Sequence, residues 1–317
     1  FTAFAEDTEN DPLAYSFVVT NINDNKWVDS GGWTPNNKWT FLPRKSGQYK
    51  VTVYIKDGIH AGTTGYDDKS DDFRKATFSV ISEGSFGSGD FIREGDKQFE
   101  AGYFDLALMN YEKAIEISPG YAAAWYGKGN VLANMKKHAN ALDCFNKSIE
   151  IDPSNAAAWN NKGATLVELG RYEEALACYN NSIDKTDNYA TPWSNKAEAF
   201  LFMGKYRDAL TSSNKSLEID SSSPFSWAIN GKALAALGRY SDALISLNKS
   251  IAMDPSNADI WISKGSSMKK LGRNEDALIS YEKATEIDPS EIEAWLGVRD
   301  AQISLGQNEN AIMSFDK

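Results

Sequence analysis

Two histidines and two cysteines carry most of this chain's capacity for nucleophilic or metal chemistry. His60, His138, Cys144 and Cys178 would make a zinc site only if all four converged, and their positions argue against that. Most His-dependent acid–base and nucleophilic chemistry would rest on His60 or His138 alone, and no activated nucleophile can be named beside His60. The acidic stretch holding Asp57, Asp67, Asp68, Asp71 and Asp72 could offer Ca²⁺ the clustered oxygens that it wants. Without the regular spacing of a calcium loop it reads as a solvated acidic loop, so these five stay weak Ca²⁺ candidates and no metal is assigned. The residue types lean away from an enzyme, and no catalytic residue and no cofactor are expected.

The elements that position these residues follow from length and periodicity. A chain of 317 residues, 42% hydrophobic and 24% charged, is ordinary for folded protein and allows two domains or one elongated array. No apolar run is long enough for a transmembrane helix. The net charge of −11 argues against nucleic acid and anionic membrane as main partners. The chain opens Phe1-Thr2-Ala3-Phe4, which is read as a removed leader or a piece of a longer chain.

Trp125, Trp159, Trp193, Trp227, Trp261 and Trp295 are spaced 34 residues apart. Sixteen residues after each comes an alanine: Ala141, Ala175, Ala209, Ala243, Ala277, Ala311, with Ala107 sixteen after Phe91. Glycines recur four residues after the aromatic (Gly95, Gly129, Gly163, Gly231, Gly265) and eleven after it (Gly102, Gly170, Gly204, Gly238, Gly272, Gly306). Pro119, Pro153, Pro255 and Pro289 close four units. A repeat of this length is one supersecondary unit, here a helical pair. The later glycine ends a first helix in a left-handed conformation, the alanine lies at the helix crossing, and the proline stops the second helix.

This pattern resembles the tetratricopeptide repeat, with repeats at 88–121, 122–155, 156–189, 190–223, 224–257 and 258–291 and a seventh from 292 cut off at Lys317. The resemblance implies a right-handed all-α solenoid over 91–317. Ala197 and Arg299 depart from the earlier glycine, Lys136 from the later one, Asp187 and Ser221 from the proline. Ser213 stands where the second helix carries an aromatic, so repeats three to four are expected to pack more loosely. An uncapped last repeat exposes an apolar face, which either a continuing chain or self-association would use.

Residues 1–81 read as short strands at Leu13–Thr20, Trp39–Leu42, Gln48–Lys56 and Phe73–Ile81, with turns at 21–25, Ser30-Gly31-Gly32, 44–47 and Asp57-Gly58. That spacing suggests an antiparallel β-sandwich. Gly47-Gln48-Tyr49-Lys50-Val51-Thr52-Val53 before Lys56-Asp57-Gly58 is similar to immunoglobulin-like domains of the PKD kind. Asp57-Gly58-Ile59-His60-Ala61-Gly62 before Tyr66-Asp67-Asp68 looks like a variant common in archaeal, especially methanogen, cell-surface proteins, although the Trp-x-Phe-Gly-Asp-Gly core of the better known PKD domain is missing. Residues 82–90 read as a Gly/Ser linker.

Bland readings win for several features. His60 reads as a turn histidine and His138 as a packing residue. Cys144 and Cys178 occupy equivalent repeat positions, and stacked helices at about 8–10 Å exceed the ~7 Å reach of a disulfide, so both read as buried thiols. Four glycosylation sequons, beginning at Asn146, Asn180, Asn214 and Asn248, recur because the repeat recurs. The six Trp read as core. In the family, residues just after the Trp and one or two turns further on line a concave groove. Here these are Tyr126, Asn130, Asn134, Asn160, Asn161, Asn195, Glu198, Phe202, Lys232 and Lys270, whose carboxamides suit an extended peptide backbone. The Lys/Asn set that tetratricopeptide clamps use for a terminal carboxylate is not reproduced.

The expectation is therefore a non-catalytic scaffold: a β-sandwich head on a helical solenoid that binds a protein or peptide segment and is displayed at the cell surface. The alternatives are the regulatory part of a larger enzyme such as a glycosyltransferase, a carbohydrate-binding head on a solenoid stalk, and a cytoplasmic location.

Overall fold

The computed structural model describes residues 14–21, 27–34, 48–56, 74–81 and 87–315, in two compact units, Phe1–Phe91 and Ile92–Lys317. In the first unit, β1 (Ala14–Asn21), β2 (Trp27–Thr34), β3 (Gln48–Lys56) and β4 (Arg74–Ile81) form one antiparallel sheet in the order β2-β1-β3-β4. β1 and β3 pair without a break from Ala14↔Lys56 to Asn21↔Tyr49. The strands expected near β1, β3 and β4 agree within a residue or so. Ser30-Gly31-Gly32 is not a turn; it lies inside β2. The register shifts between Tyr15↔Thr34 and Phe17↔Gly31, which inserts an extra β2 residue. Glycine in a strand interior often marks such a bulge. The described strands make a single layer. The expected strand Trp39–Leu42, His60 and the acidic residues Asp57, Asp67, Asp68, Asp71 and Asp72 lie outside the described residues.

The second unit is a helical solenoid. Its first helices are α1 (Ser88–Glu100), α3 (Ala122–Asn134), α5 (Ala156–Glu168), α7 (Ala190–Phe202), α9 (Pro224–Ala236), α11 (Ala258–Lys270) and α13 (Ile292–Ser304). The partners are α2 (Phe104–Ile117), α4 (His138–Ile151), α6 (Tyr172–Ile183), α8 (Tyr206–Ile219), α10 (Tyr240–Met253), α12 (Asn274–Ile287) and α14 (Asn308–Phe315). α1 starts at Ser88, so the last three residues expected in the linker are helical. Each odd helix ends in a left-handed residue: six glycines at φ +70° to +79°, and Lys136 at +58°. The amide after Gly170 then reaches back to Leu166 O at 2.9 Å, closing the helix. α6 stops at Ile183, two residues short of the period shared by the other even helices through α12, just before Asp187 replaces the proline.

Packing explains the small residues. Ala107, Ala141, Ala175, Ala209, Ala243 and Ala277 have no exposed surface. Gly163 lies against a ring, because a Cβ there would sit 2.6 Å from Tyr179 Cε1. The Trp side chains, expected as core, edge it: Trp125, Trp159 and Trp261 pack against the buried clusters without being fully buried themselves. All six are half-buried, and five indole N–H groups donate to the carbonyl six residues back, as Trp159 does to Pro153 O at 3.1 Å. Each such ring straps the inter-repeat turn onto its helix, and a polar N–H beside a wet turn keeps the ring at the rim.

The serines of the four sequons have a structural task. Ser148, Ser182, Ser216 and Ser250 are buried and donate to the first carbonyl of the paired helix, at Ala122, Ala156, Ala190 and Pro224. Ser213 leaves space that Asn230 fills. The Asn230 carboxamide donates to Ser213 Oγ at 3.0 Å and Asn214 Oδ1 at 2.7 Å, and it accepts from Ser246 Oγ at 2.8 Å. Repeats four and five thus meet through a buried polar network rather than a ring.

Candidate functional site

The residues one, two and five places after each Trp lie along the odd helices, and in α3, α5 and α7 they join into a ladder of carboxamides. Asn195 Nδ2 donates to Asn160 Oδ1 at 3.0 Å, and Asn160 Nδ2 to Asn161 Oδ1 at 3.0 Å. Asn161 Nδ2 donates to Asn130 Oδ1 at 2.8 Å and to the Tyr126 hydroxyl at 3.1 Å. The 34-residue period sets equivalent side chains side by side, and asparagine both donates and accepts, so the chain of bonds crosses three repeats. Asn195 Oδ1 and Asn130 Nδ2 have no partner among the described residues. Asn134 is exposed and caps its own helix by donating to Asn130 O at 3.0 Å. Tyr126 also tilts against Phe145, ring centroids 6.2 Å apart.

Beyond the ladder the face becomes charged. Glu198 on α7 is half-buried, and burial pushes its carboxyl above the usual glutamate range, helped by Glu168 and opposed by Lys232. Lys232 on α9 is already engaged in an ion pair with Asp259 of α11. Further on, Lys269 pairs with Asp300 at 2.9 Å, while Lys270 is exposed in the last turn of α11. Phe202 stands apart from the ladder: it is 59% exposed and stacks on Tyr172, centroids 5.6 Å apart. Thus Tyr126, Asn130, Asn160, Asn161 and Asn195 are brought together, Glu198 and Lys232 extend the face, and Asn134, Phe202 and Lys270 occupy helix ends.

Sequence reasoning missed Tyr179. Two equivalent tyrosines bond the residue five after their own repeat's aromatic: Tyr111 Oη donates to Asp96 at 2.6 Å, and Tyr281 Oη lies 3.0 Å from Ser266 Oγ. Ala164 occupies that place for Tyr179. Its hydroxyl therefore has no hydrogen-bond partner among the described residues, although the ring is almost fully buried; it is not sealed off, since His138 Nδ1 is the one buried, unpaired side-chain polar atom among them. Burial raises the phenol's pKa, and nearby Glu198 is the next cause. Aligning the two columns, tyrosine and alanine, is the signal that would have exposed it.

The other reactive groups are quiet. Cys144 and Cys178 are free, buried thiols, and burial pushes Cys144 up to about 11. His138 opens α4 with a buried Nδ1 that lacks a partner. Among the described residues no group of three or more His, Cys, Asp or Glu could hold a metal ion, and no helix is long and apolar enough to cross a membrane.

Models of the tetratricopeptide repeat match residues 122–155, 144–177 and 230–292, and a TPR repeat model matches 163–204. A search of curated proteins finds no match. Among solved structures, the APC/C hetero-tetramer Cut9-Hcn1 is similar at TM-score 0.63 and 15% identity over 68% of this chain. This chain spans only 42% of that one. PilW, a type IV pilus biogenesis factor, matches at TM-score 0.60 and 19% identity, over 65% of this chain and 96% of its own. The pilF protein of Pseudomonas aeruginosa matches at 0.58 and 21%, over 65% and 94%. Residues 122–204 and 230–292 are therefore tetratricopeptide repeats, within a solenoid that starts near residue 88. Such repeats generally mediate protein–protein interaction.

Proposed function

We propose that the protein is a non-catalytic interaction scaffold whose odd-helix face forms a concave groove for an extended protein or peptide segment. The carboxamide ladder carries this reading. It is fixed by its own hydrogen bonds, so a ligand need not order it, and preorganisation lowers the cost of binding. Its unused groups, Asn195 Oδ1 and Asn130 Nδ2, can meet a peptide N–H and C=O. Peptide-library binding to the full chain tests it. Asn161→Ala and Asn195→Ala should each weaken capture several-fold with unchanged circular dichroism, and unchanged capture would refute the groove.

Residues 1–81 are proposed as a PKD-like β-sandwich head that displays the solenoid at the cell surface of an archaeon; the resemblance of Gly47–Gly58 and the loop after it supports this. Protease shaving of intact cells tests it, since a protected protein would refute surface display. A second reading has its own observation. Ile292, Leu296 and Ile303 of α13 are 72%, 42% and 54% exposed, whereas Ile262 and Ala228, equivalents of Leu296, are buried. This stripe supports self-association at the last repeat. Light scattering should then show a dimer that Leu296→Glu dissociates, and a monomer at all concentrations would refute it.

A further inference from the structure

The edge of the solenoid where odd helices turn into even ones carries a tyrosine at the start of α6, α8 and α10: Tyr172, Tyr206 and Tyr240. Phe202, the last residue of α7, stacks on Tyr172 with centroids 5.6 Å and planes 19° apart. One 34-residue period later the equivalent residues are Tyr206, opening α8, and Ala236, closing α9. A methyl group cannot cover a ring, and Tyr206 is exposed where Tyr172 and Tyr240 are half-buried. Beside it lies a pocket of about 350 Å³ lined by Tyr206, Leu237, Gly204, Lys205, Arg207 and Asp208. An apolar cavity of about 150 Å³ is enough for benzene, so a side-chain ring fits. The rim is also charged. Arg171, Arg239 and Arg273 each bind the acid three residues on. Lys205 has Asp208 at that offset, yet neither Lys205 nor Arg207 makes an ion pair among the described residues. Two free cations thus face one carboxylate.

We infer that this pocket is a recognition subsite for an aromatic side chain of a partner protein, with an acidic residue next to it in the partner's sequence. The incoming ring takes on Tyr206 the place that Phe202 takes on Tyr172, so the molecule contains its own template for the contact. Leu237 supplies an aliphatic wall, and the stack is of the kind that aromatic pairs favour. An exposed ion pair contributes little, so the ring supplies the affinity. Lys205 and Arg207 select the acidic neighbour through an attraction that salt screens. The subsite goes beyond the groove reading, because it lies at the helix turns and uses none of the ladder's asparagines.

The experiment is fluorescence polarisation of the full chain with peptide pools, randomised without aromatic residues except at a fixed central pair: Asp-Phe, Asp-Leu, Asp-Ala or Lys-Phe. The Asp-Phe pool should bind at least about tenfold tighter than the Asp-Ala pool, as burial of one aromatic side chain provides. It should also bind several-fold tighter than the Asp-Leu pool, through stacking, and than the Lys-Phe pool at low salt. Ala236→Phe writes the Phe202 stack into the next repeat. It should erase the preference for Asp-Phe while the melting temperature holds or rises. Asn161→Ala should leave that preference in place. Lys205→Ser combined with Arg207→Ser should make Asp-Phe and Lys-Phe bind alike. Equal binding of the Phe, Leu and Ala pools, a preference for Leu, or a Phe preference that survives in Ala236→Phe overturns the aromatic subsite. Equal binding of Asp-Phe and Lys-Phe by the parent overturns the acidic neighbour, and absence of binding by every pool overturns both.

Discussion

The Asn230 carboxamide donates to the Ser213 hydroxyl at 3.0 Å, in the place that Tyr111, Phe145, Tyr179 and Tyr281 fill with rings in their own repeats. Ser213 and Asn230 are almost fully buried, as is Ser246, which donates to the same carboxamide. Removing Asn230 leaves the buried Ser246 hydroxyl without its acceptor, whereas Ser213 Oγ still donates to Leu210 O at 3.0 Å. Asn230→Ala should cost about 1–3 kcal/mol, and more than Ser213→Ala, because it removes three bonds of the network at once. Urea midpoints of the two variants decide the matter. A neutral Asn230→Ala would mean that the network contributes nothing.

Lys136 is the one described non-glycine residue at positive φ, +58°, where six other repeats carry glycine. A Cβ in the left-handed region costs roughly 1–2 kcal/mol, partly offset by the extra freedom that glycine loses on folding. Lys136→Gly should therefore raise stability by up to about 1 kcal/mol, and Gly170→Ala should lower it by a similar amount. Thermal melts of both test the pair. If Lys136→Gly melts lower than the parent, strain at this turn is not what sets its stability.

The features legible in the sequence are those dictated by the backbone or by one close approach. Gly170 must be left-handed, Ala175 must vanish between helices, and Gly163 must clear a ring; each demand fixes a residue type at one position. The period then locates every helix within a few residues. What stayed hidden depends on pairs of columns. Asn161 could be placed on the groove face, yet its bonds to Asn130 and Tyr126 follow only when neighbouring repeats are superimposed. Ser213 looked like a packing defect because its compensation, Asn230, lies seventeen residues away. The Trp column packs against the core, as its spacing implies, but only half-buried, for another reason. Its spacing fixes a helical face, but the indole N–H has to reach a turn carbonyl, which draws the ring to the rim.

Glu198 sets a pH dependence whose sign follows from burial. Its folded pKa is raised, chiefly by desolvation, so the folded state holds this proton more tightly than the unfolded chain does. Stability therefore falls as pH rises from the ordinary glutamate range through the folded pKa. The penalty is fully present above that pKa and absent below the ordinary range. Glu198→Gln should be more stable than the parent at neutral pH, with the difference closing under acid conditions. Urea midpoints as a function of pH read this directly, and a constant difference would mean that Glu198 is solvated as in the unfolded chain.

The recurring Asn-x-Ser triplets lead to the last prediction. Ser148 has no exposed surface and donates to Ala122 O at 3.0 Å, a bond that Ser182, Ser216 and Ser250 repeat in their own helical pairs. An oligosaccharide acceptor needs its serine accessible on a flexible loop, whereas these hydroxyls are locked between helices. Expression through a secretory pathway should yield no glycan on Asn146, Asn180, Asn214 or Asn248 by peptide mass spectrometry. Ser148→Ala should cost about 0.5–1.5 kcal/mol, because a buried bond that ties the paired helices together is lost. Ser148→Thr keeps the hydroxyl but adds a methyl to a filled site, so it should rescue only part of the loss. Glycan found at any of the four asparagines would show that the clip opens, or forms only after the chain has been modified.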